Sequence, residues 1–263
     1  MSFFVDPVWM TAALLVAVRI APLFIMAPVL GGADIPVRIR IFLSLALAVM
    51  IVAAAGSGIV PAGASVATYS PLGSPGALMA AAASELLIGI ALVFGVFAAF
   101  GAFLFGGRLL DIQIGFGIAN VFDPITRSQG PLIGTALNML AVTVFFSIDG
   151  HHMLIRGIVD SLQLFPPGRS LSELNGSAVV AQFGVVFAYG LMIVAPSVIM
   201  LLLVDAGLAV AARTMPQMNI FIVAMPLKVV VGVLTLALSM QYLGPALTRI
   251  YGSIGSYWVR LLS

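Results

Sequence analysis

The chain contains no cysteine. That excludes disulfides, cysteine-ligated zinc and thiol catalysis, and leaves the compartment undecided. Charge is scarce as well: 8% of the 263 residues are charged, against about 25% in ordinary soluble domains. A formal net charge of +2 is too small to imply a nucleic-acid partner. No H-E-x-x-H, G-x-S-x-G or Walker A pattern occurs, and Asn120 takes the third glycine position that a G-x-G-x-x-G would need. The two histidines, His151 and His152, are adjacent. In a helix they point about 100° apart, a poor metal pair, and Asp149 alone does not complete a ligand set. The chain therefore reads as a non-enzyme with no metal and no cofactor. No Lys or Arg precedes the first apolar run in MSFFVDPVW, so that run is expected to belong to the mature protein rather than to a cleaved signal peptide.

What the chain has is apolar length. It is 62% hydrophobic with mean hydropathy +1.22, the composition of an integral membrane protein. A membrane helix needs about 20 apolar residues, and six runs meet or approach that length: 8–30, 41–55, 77–105, 132–148, 179–204 and 220–243. Such continuity excludes a β-barrel, whose strands alternate over about ten residues. The expectation is an all-α membrane protein of about six long segments forming one integral membrane domain over 1–263, with lipid around it. Residues 56–76, rich in Ala, Gly, Ser and Pro, read as a loop.

The runs are not plain lipid-facing rods. Arg19 interrupts the first, Glu85 the third and Lys228 the sixth. A charge at mid-membrane costs about 2.5–3.5 kcal/mol on insertion scales, so each is expected to be buried against protein or water. Pro22, Pro28, Pro196 and Pro226 also fall within runs, and proline kinks or breaks helices. Several kinked or broken segments inside an assembly follow. Arg38, Arg40, Arg108, Arg127 and Arg213 fall on one side of a six-span topology, and Arg156, Arg169, Arg249 and Arg260 on the other. That split barely selects an orientation.

Ala91, Gly95 and Ala99 recur every four residues, a spacing that lets another backbone approach one helix face. Phe94, Phe97, Phe100 and Phe103 lie largely on other faces. Residues 149–165 form a short amphipathic pattern: Asp149, His152, Arg156, Asp160 and Gln163 make a polar stripe opposite Leu154, Ile155, Ile158, Leu162 and Phe165. Asp149 is placed to cap this helix, and Pro166-Pro167-Gly168 to end it.

The densest polar cluster of the first half is the stretch 106–131, GGRLLDIQIGFGIANVFDPITRSQGP, between two apolar runs. Lipid cannot hydrogen-bond its backbone, so protein or a water-filled passage must. A pore, a gate or a binding site follows. Gly106, Gly107, Gly115 and Gly117 let the segment bend. Ile112, Ile114, Phe116 and Ile118 suit occlusion of a narrow passage. Asp123-Pro124 stiffens the exit, because proline restricts its predecessor. An ordinary connecting helix and turn fits these residues equally. A proton-coupled transporter of a small solute is a further alternative, with Glu85 as its carboxylate and Arg19 or Lys228 as counter-charge; no internal two-fold repeat accompanies it.

Five stretches in order resemble the FliR family of flagellar export-gate proteins: 35–40 (IPVRIR), 120–124 (NVFDP), 145–152 (FFSIDGHH), 164–168 (LFPPG), and 215–221 (MPQMNIF) followed by 225–228 (MPLK). Met218 departs conservatively from a common leucine. The resemblance implies a core subunit of the inner-membrane gate of the flagellar type III secretion apparatus, in the basal body. Such subunits assemble with FliP and FliQ into a helical channel for unfolded flagellar proteins, with FlhB associated. A related subunit serves virulence injectisomes. In that family the loop matching 106–122 plugs the closed channel, which implies a plug role for Gly106, Gly107, Ile112, Ile114, Gly115, Phe116, Gly117, Ile118 and Phe122, bounded by Asp123 and Pro124.

Overall fold

A computed structural model describes residues 7–28, 35–56, 75–116, 131–167, 171–215, 217 and 219–263. Gly117, Ile118, Phe122, Asp123 and Pro124 lie outside the described residues, as does most of the loop expected at 56–76. Among the described residues there is no strand. The helices are α1 (Pro7–Met26), α2 (Val37–Gly56), α3 (Pro75–Ile114), α4 (Leu132–Ser147), α5 (Gly150–Leu164), α6 (Gly176–Thr214), α7 (Ile220–Ser239) and α8 (Leu243–Leu262). Short 3-10 turns occupy Leu171–Glu173 and Met240–Tyr242. Five stretches are long and apolar enough to cross a membrane, or six if α4 and α5 make one broken span.

Among the described residues all six apolar runs fall mainly on helices, but the helices do not end where apolarity ends. The third run extends through Gly106, Gly107, Arg108 and Asp111 to Ile114, making α3 40 residues long. At 1.5 Å per residue this is about 60 Å, roughly twice the hydrocarbon thickness of a bilayer. Pro22, Pro196 and Pro226 sit inside α1, α6 and α7, which continue through them. The described interruptions fall instead at Ile148–Asp149 and at Met240–Tyr242. The helix α8 was not among the expected runs.

By contacts the chain forms two compact units. The first comprises Met1–Phe97, Asp149–Gln182 and Ser253–Ser263. There α1 packs on α2, and Arg40 donates from Nη1 to the Ile25 carbonyl at 3.2 Å. The end of α8 lies across α3: Tyr257 Oη donates to the Ala91 carbonyl at 2.8 Å, and Trp258 Nε1 to the Leu92 carbonyl at 2.8 Å. A Cβ on Gly95 would come within 2.5 Å of the Tyr257 ring. The groove at Ala91 and Gly95 thus admits aromatic rings, where a second backbone was expected. Ala99 is buried. Gly157 on α5 faces the other side of the Trp258 indole, where a Cβ would collide with the ring.

The second unit comprises Ala98–Ile148 and Phe183–Gly252. Its core is aromatic: Phe145 meets Phe100 and Tyr251 edge-on, with centroids 5.5 and 5.4 Å apart. Tyr251 Oη donates to the Ala141 carbonyl at 2.6 Å, so the one polar atom of the cluster is satisfied.

Candidate functional site

The end of α3 carries four of the residues expected to form the plug, Gly106, Gly107, Ile112 and Ile114, and Gly115 and Phe116 follow directly after it. Gly106 and Gly107 are regular helix, not bends. A Cβ on Gly106 would lie 2.5 Å from the Gly190 carbonyl oxygen of α6, and one on Gly107 would collide with the backbone of Gly134 in α4. Both glycines serve close helix packing, because only a missing Cβ allows backbone to touch backbone. Gly107→Val is therefore expected to loosen α3 from α4. Overpacking of this kind costs about 1–3 kcal/mol, and a lowered melting temperature of the detergent-solubilised protein checks it.

Ile114 is buried, and its side chain fills the notch at Gly232 of α7, where a Cβ would lie 2.6 Å away. Ile112, one face over, is 67% exposed. Gly115 terminates the helix: its φ is 100°, a conformation open mainly to glycine, and its N–H donates to the Asp111 carbonyl at 3.2 Å. Phe116 is half-buried.

Asp111 is the residue that sequence reasoning left without a role. It is 4% exposed, and its two carboxylate oxygens accept the backbone N–H groups of Ile133 at 3.1 Å and Gly134 at 3.3 Å. These are the second and third residues of α4, whose own N-cap, Pro131, makes no side-chain cap bond. A helix start must find acceptors for its first N–H groups. The signal in the sequence was that α4 opens on proline, without the Ser, Thr, Asp or Asn that would supply one.

Beside Ile112, Gln113 and Gly115 lies an open pocket of about 350 Å³, lined also by Leu208 and Met225. Its polar wall is an ion pair: Lys228 Nζ of α7 stands 2.5 Å from Asp205 Oδ1 of α6. Lys228 was expected to be buried, but its side chain is 22% exposed. Asp205, one residue beyond the fifth apolar run, is the counter-charge that the sequence did not single out.

Arg19 and Glu85 find each other in the first unit. Arg19 Nε stands 2.5 Å from Glu85 Oε2, with side chains 1% and 0% exposed. Arg19 Nη1 also donates to the carbonyls of Ser161 at 3.1 Å and Phe165 at 2.9 Å. One guanidinium thus neutralises a buried carboxylate and satisfies the carbonyl end of α5, where cations are favoured. Arg19 Nη2 and Glu85 Oε1 make no hydrogen bond among the described residues.

On α5, Leu154, Ile158, Leu162 and Phe165 are buried as expected, while Ile155 is 38% exposed. Asp149 does not cap with its side chain; it adopts a left-handed φ of 56°, and its carboxylate lies 3.4 Å from His152 Nδ1. The His151 and His152 rings lie 4.1 Å apart, and ligand atoms of Asp149, His151 and His152 fall within 4.8 Å of one another. Asp149 and His152 are exposed, so solvent competes for these two ligand positions, while His151 is half-buried.

The sequence profile of the family described as bacterial export proteins, family 1, matches residues 10–254. The chain is 30% identical over 240 residues to the flagellar biosynthetic protein FliR of Bacillus subtilis (strain 168), covering 88% of this chain and 86% of that protein. It is 30% identical over 183 residues to the flagellar biosynthetic protein FliR of Escherichia coli (strain K12), covering 69% and 70%. It is also similar to the secretion system apparatus protein SsaT of Salmonella typhimurium, 27% identical over 160 residues, covering 60% and 62%.

Proposed function

We propose, on the premise that the chain belongs to the bacterial export proteins, family 1, that it is a core subunit of a flagellar type III protein export gate. It sits in the bacterial inner membrane within the flagellar basal body, assembles with FliP, FliQ and FlhB, lines part of the channel for unfolded flagellar proteins and catalyses no reaction. The observation that carries this reading is the family match along 10–254 together with flagellar relatives covering most of the chain. The equivalent injectisome subunit is a second reading, supported by the shorter match to SsaT.

The physical features agree with a subunit of an assembly. In α7, Ile222, Val230, Leu234 and Leu238 are all more than half exposed on the isolated chain, and so are Phe42 and Met50 of α2. Apolar surface on this scale needs lipid or protein over it. In this reading Glu85 has a structural role: it is tied to Arg19 and sealed from solvent.

The plug role of the segment after α3 is tested by deletion. Residues 110–114 carry the helix end and its packing, so the informative deletion is 117–122. In the gate complex this deletion is expected to leave assembly intact and to raise the permeability of the membrane to ions. Unchanged permeability in an intact complex would remove the plug assignment. Coupled uptake of a small solute by the purified chain alone in vesicles would replace the gate with a transporter.

A further inference from the structure

We propose that Asp149, His151 and His152 form a binding site for one divalent metal ion of the zinc type. The site goes beyond the gate reading and does not depend on it. One nitrogen from each imidazole and one carboxylate oxygen lie within 4.8 Å of one another, with the two ring centroids 4.1 Å apart. Bonds from zinc to nitrogen or oxygen are about 2.0–2.2 Å, so ligand atoms around a tetrahedral ion stand about 3.3 Å apart. The remaining gap is at most about 1.5 Å. Rotation of Asp149 and His152 spans it, because both side chains are exposed and exposed rotamers exchange readily. Adjacency in sequence argued against a shared ion, since neighbouring helix positions diverge by about 100°. That angle fixes only the Cα–Cβ directions. Each imidazole adds two torsions and offers either nitrogen.

The backbone beneath the three ligands is held. The Asp149 carbonyl accepts the N–H groups of His152 at 2.9 Å and Met153 at 3.4 Å, with Asp149 in the left-handed region. Leu154 and Ile158, further along α5, are buried, and the half-buried His151 is restrained by packing. Imidazole with carboxylate suits Zn2+, Ni2+ and Cu2+, whereas Mg2+ prefers oxygen ligands and its own water. The Asp149 carboxylate offsets part of the ion's charge. Solvent reaches two of the three ligands, so water completes the coordination shell, and affinity falls below that of a closed structural site. The bound ion clips the corner at Asp149 to the first turn of α5.

The composition makes the test clean. These are the two histidines of the chain, and it has no cysteine, so no other imidazole or thiol competes. Ligands this close in sequence keep part of their affinity in the unfolded chain, which makes melting temperature a poor reporter. Direct binding is the measurement. The full-length chain, solubilised without a polyhistidine tag and titrated with Zn2+ in a calorimeter, is expected to take up one ion per chain with micromolar affinity and to ignore Mg2+. His151→Ala and His152→Ala are each expected to weaken binding at least about 10–100-fold, the loss that even an outer-shell partner of a metal causes. Asp149→Asn is expected to weaken it less, because asparagine tolerates the left-handed backbone and keeps one ligand oxygen. With Cu2+ as the probe, electron paramagnetic resonance is expected to show hyperfine splitting from two nitrogens in the wild type and from one in either histidine variant.

Absence of saturable Zn2+ uptake would overturn the proposal. So would equal binding of Mg2+, or wild-type affinity in either histidine variant. Should His151→Ala fail to fold, the Cu2+ spectrum of the wild-type chain decides: two nitrogens support the site, and one or none removes it.

Discussion

Replacing Arg19 by methionine is expected to be among the most damaging single substitutions in the chain. The change leaves the Glu85 carboxylate, fully shielded from solvent, without its counter-charge. It also strips the donor from the carbonyls of Ser161 and Phe165. Removing one partner of a buried pair typically costs about 3–5 kcal/mol, because an uncompensated charge remains. The measurement is thermal unfolding of the solubilised protein alongside the yield of assembled gate. Adding Glu85→Met is expected to recover much of the loss, since apolar residues of similar volume often replace a buried pair at little cost. Glu85→Gln alone is expected to be milder and to act on packing. If Arg19→Met unfolds at the wild-type temperature, the ion pair does not hold α1, α3 and α5 together. If Glu85→Gln instead abolishes a proton-coupled flux, the transporter reading gains what the structural one loses.

Trp258→Ala is expected to rank beside it. The indole is 4% exposed, lies against Gly157 of α5, and is anchored to α3 by its bond to the Leu92 carbonyl. Truncating a buried tryptophan to alanine costs about 3–5 kcal/mol through lost transfer energy and the cavity left behind. Trp258→Phe keeps most of the bulk and forfeits the hydrogen bond, for a loss nearer 1 kcal/mol. The ordering Ala worse than Phe, read from melting temperatures, tests whether the ring or its N–H does the holding. Equal stability of Trp258→Ala and wild type would mean that α8 is not fastened to α3 through this residue.

These two sites differ in how far the sequence announced them. Arg19 and Glu85 stand out because each interrupts an apolar run. Their pairing does not, since 66 positions separate them and no local spacing rule connects them. Trp258 gave no warning. Its helix carries Arg249, Arg260 and several hydroxyls, so a search for continuous apolarity stops near residue 243. An amphipathic helix buries only one face, and only the facing helices reveal which. Gly106 and Gly107 show the same limit from the other direction. A glycine lacks a Cβ whether it serves a bend or a close contact, and the neighbours Gly190 and Gly134 decide between the two. The end of α3 was misplaced for a related reason: Arg108 and Asp111 end the apolar run, but a helix needs only its backbone bonds and satisfied side chains to continue.

The sequence by itself determined the class of molecule. Composition and run length require an all-helical membrane protein, the missing cysteines remove disulfides and thiol chemistry, and the ordered motifs point to the export family. Tertiary structure decided the partnerships: Arg19 with Glu85, Lys228 with Asp205, Asp111 with the start of α4, and Trp258 with Gly157 and Leu92. The reason is physical. Hydropathy and helix periodicity are local properties of the chain, readable within a window of residues. A buried charge or an orphan N–H takes as its partner whichever complementary group the packed helices bring within about 3 Å, however distant that group is in sequence.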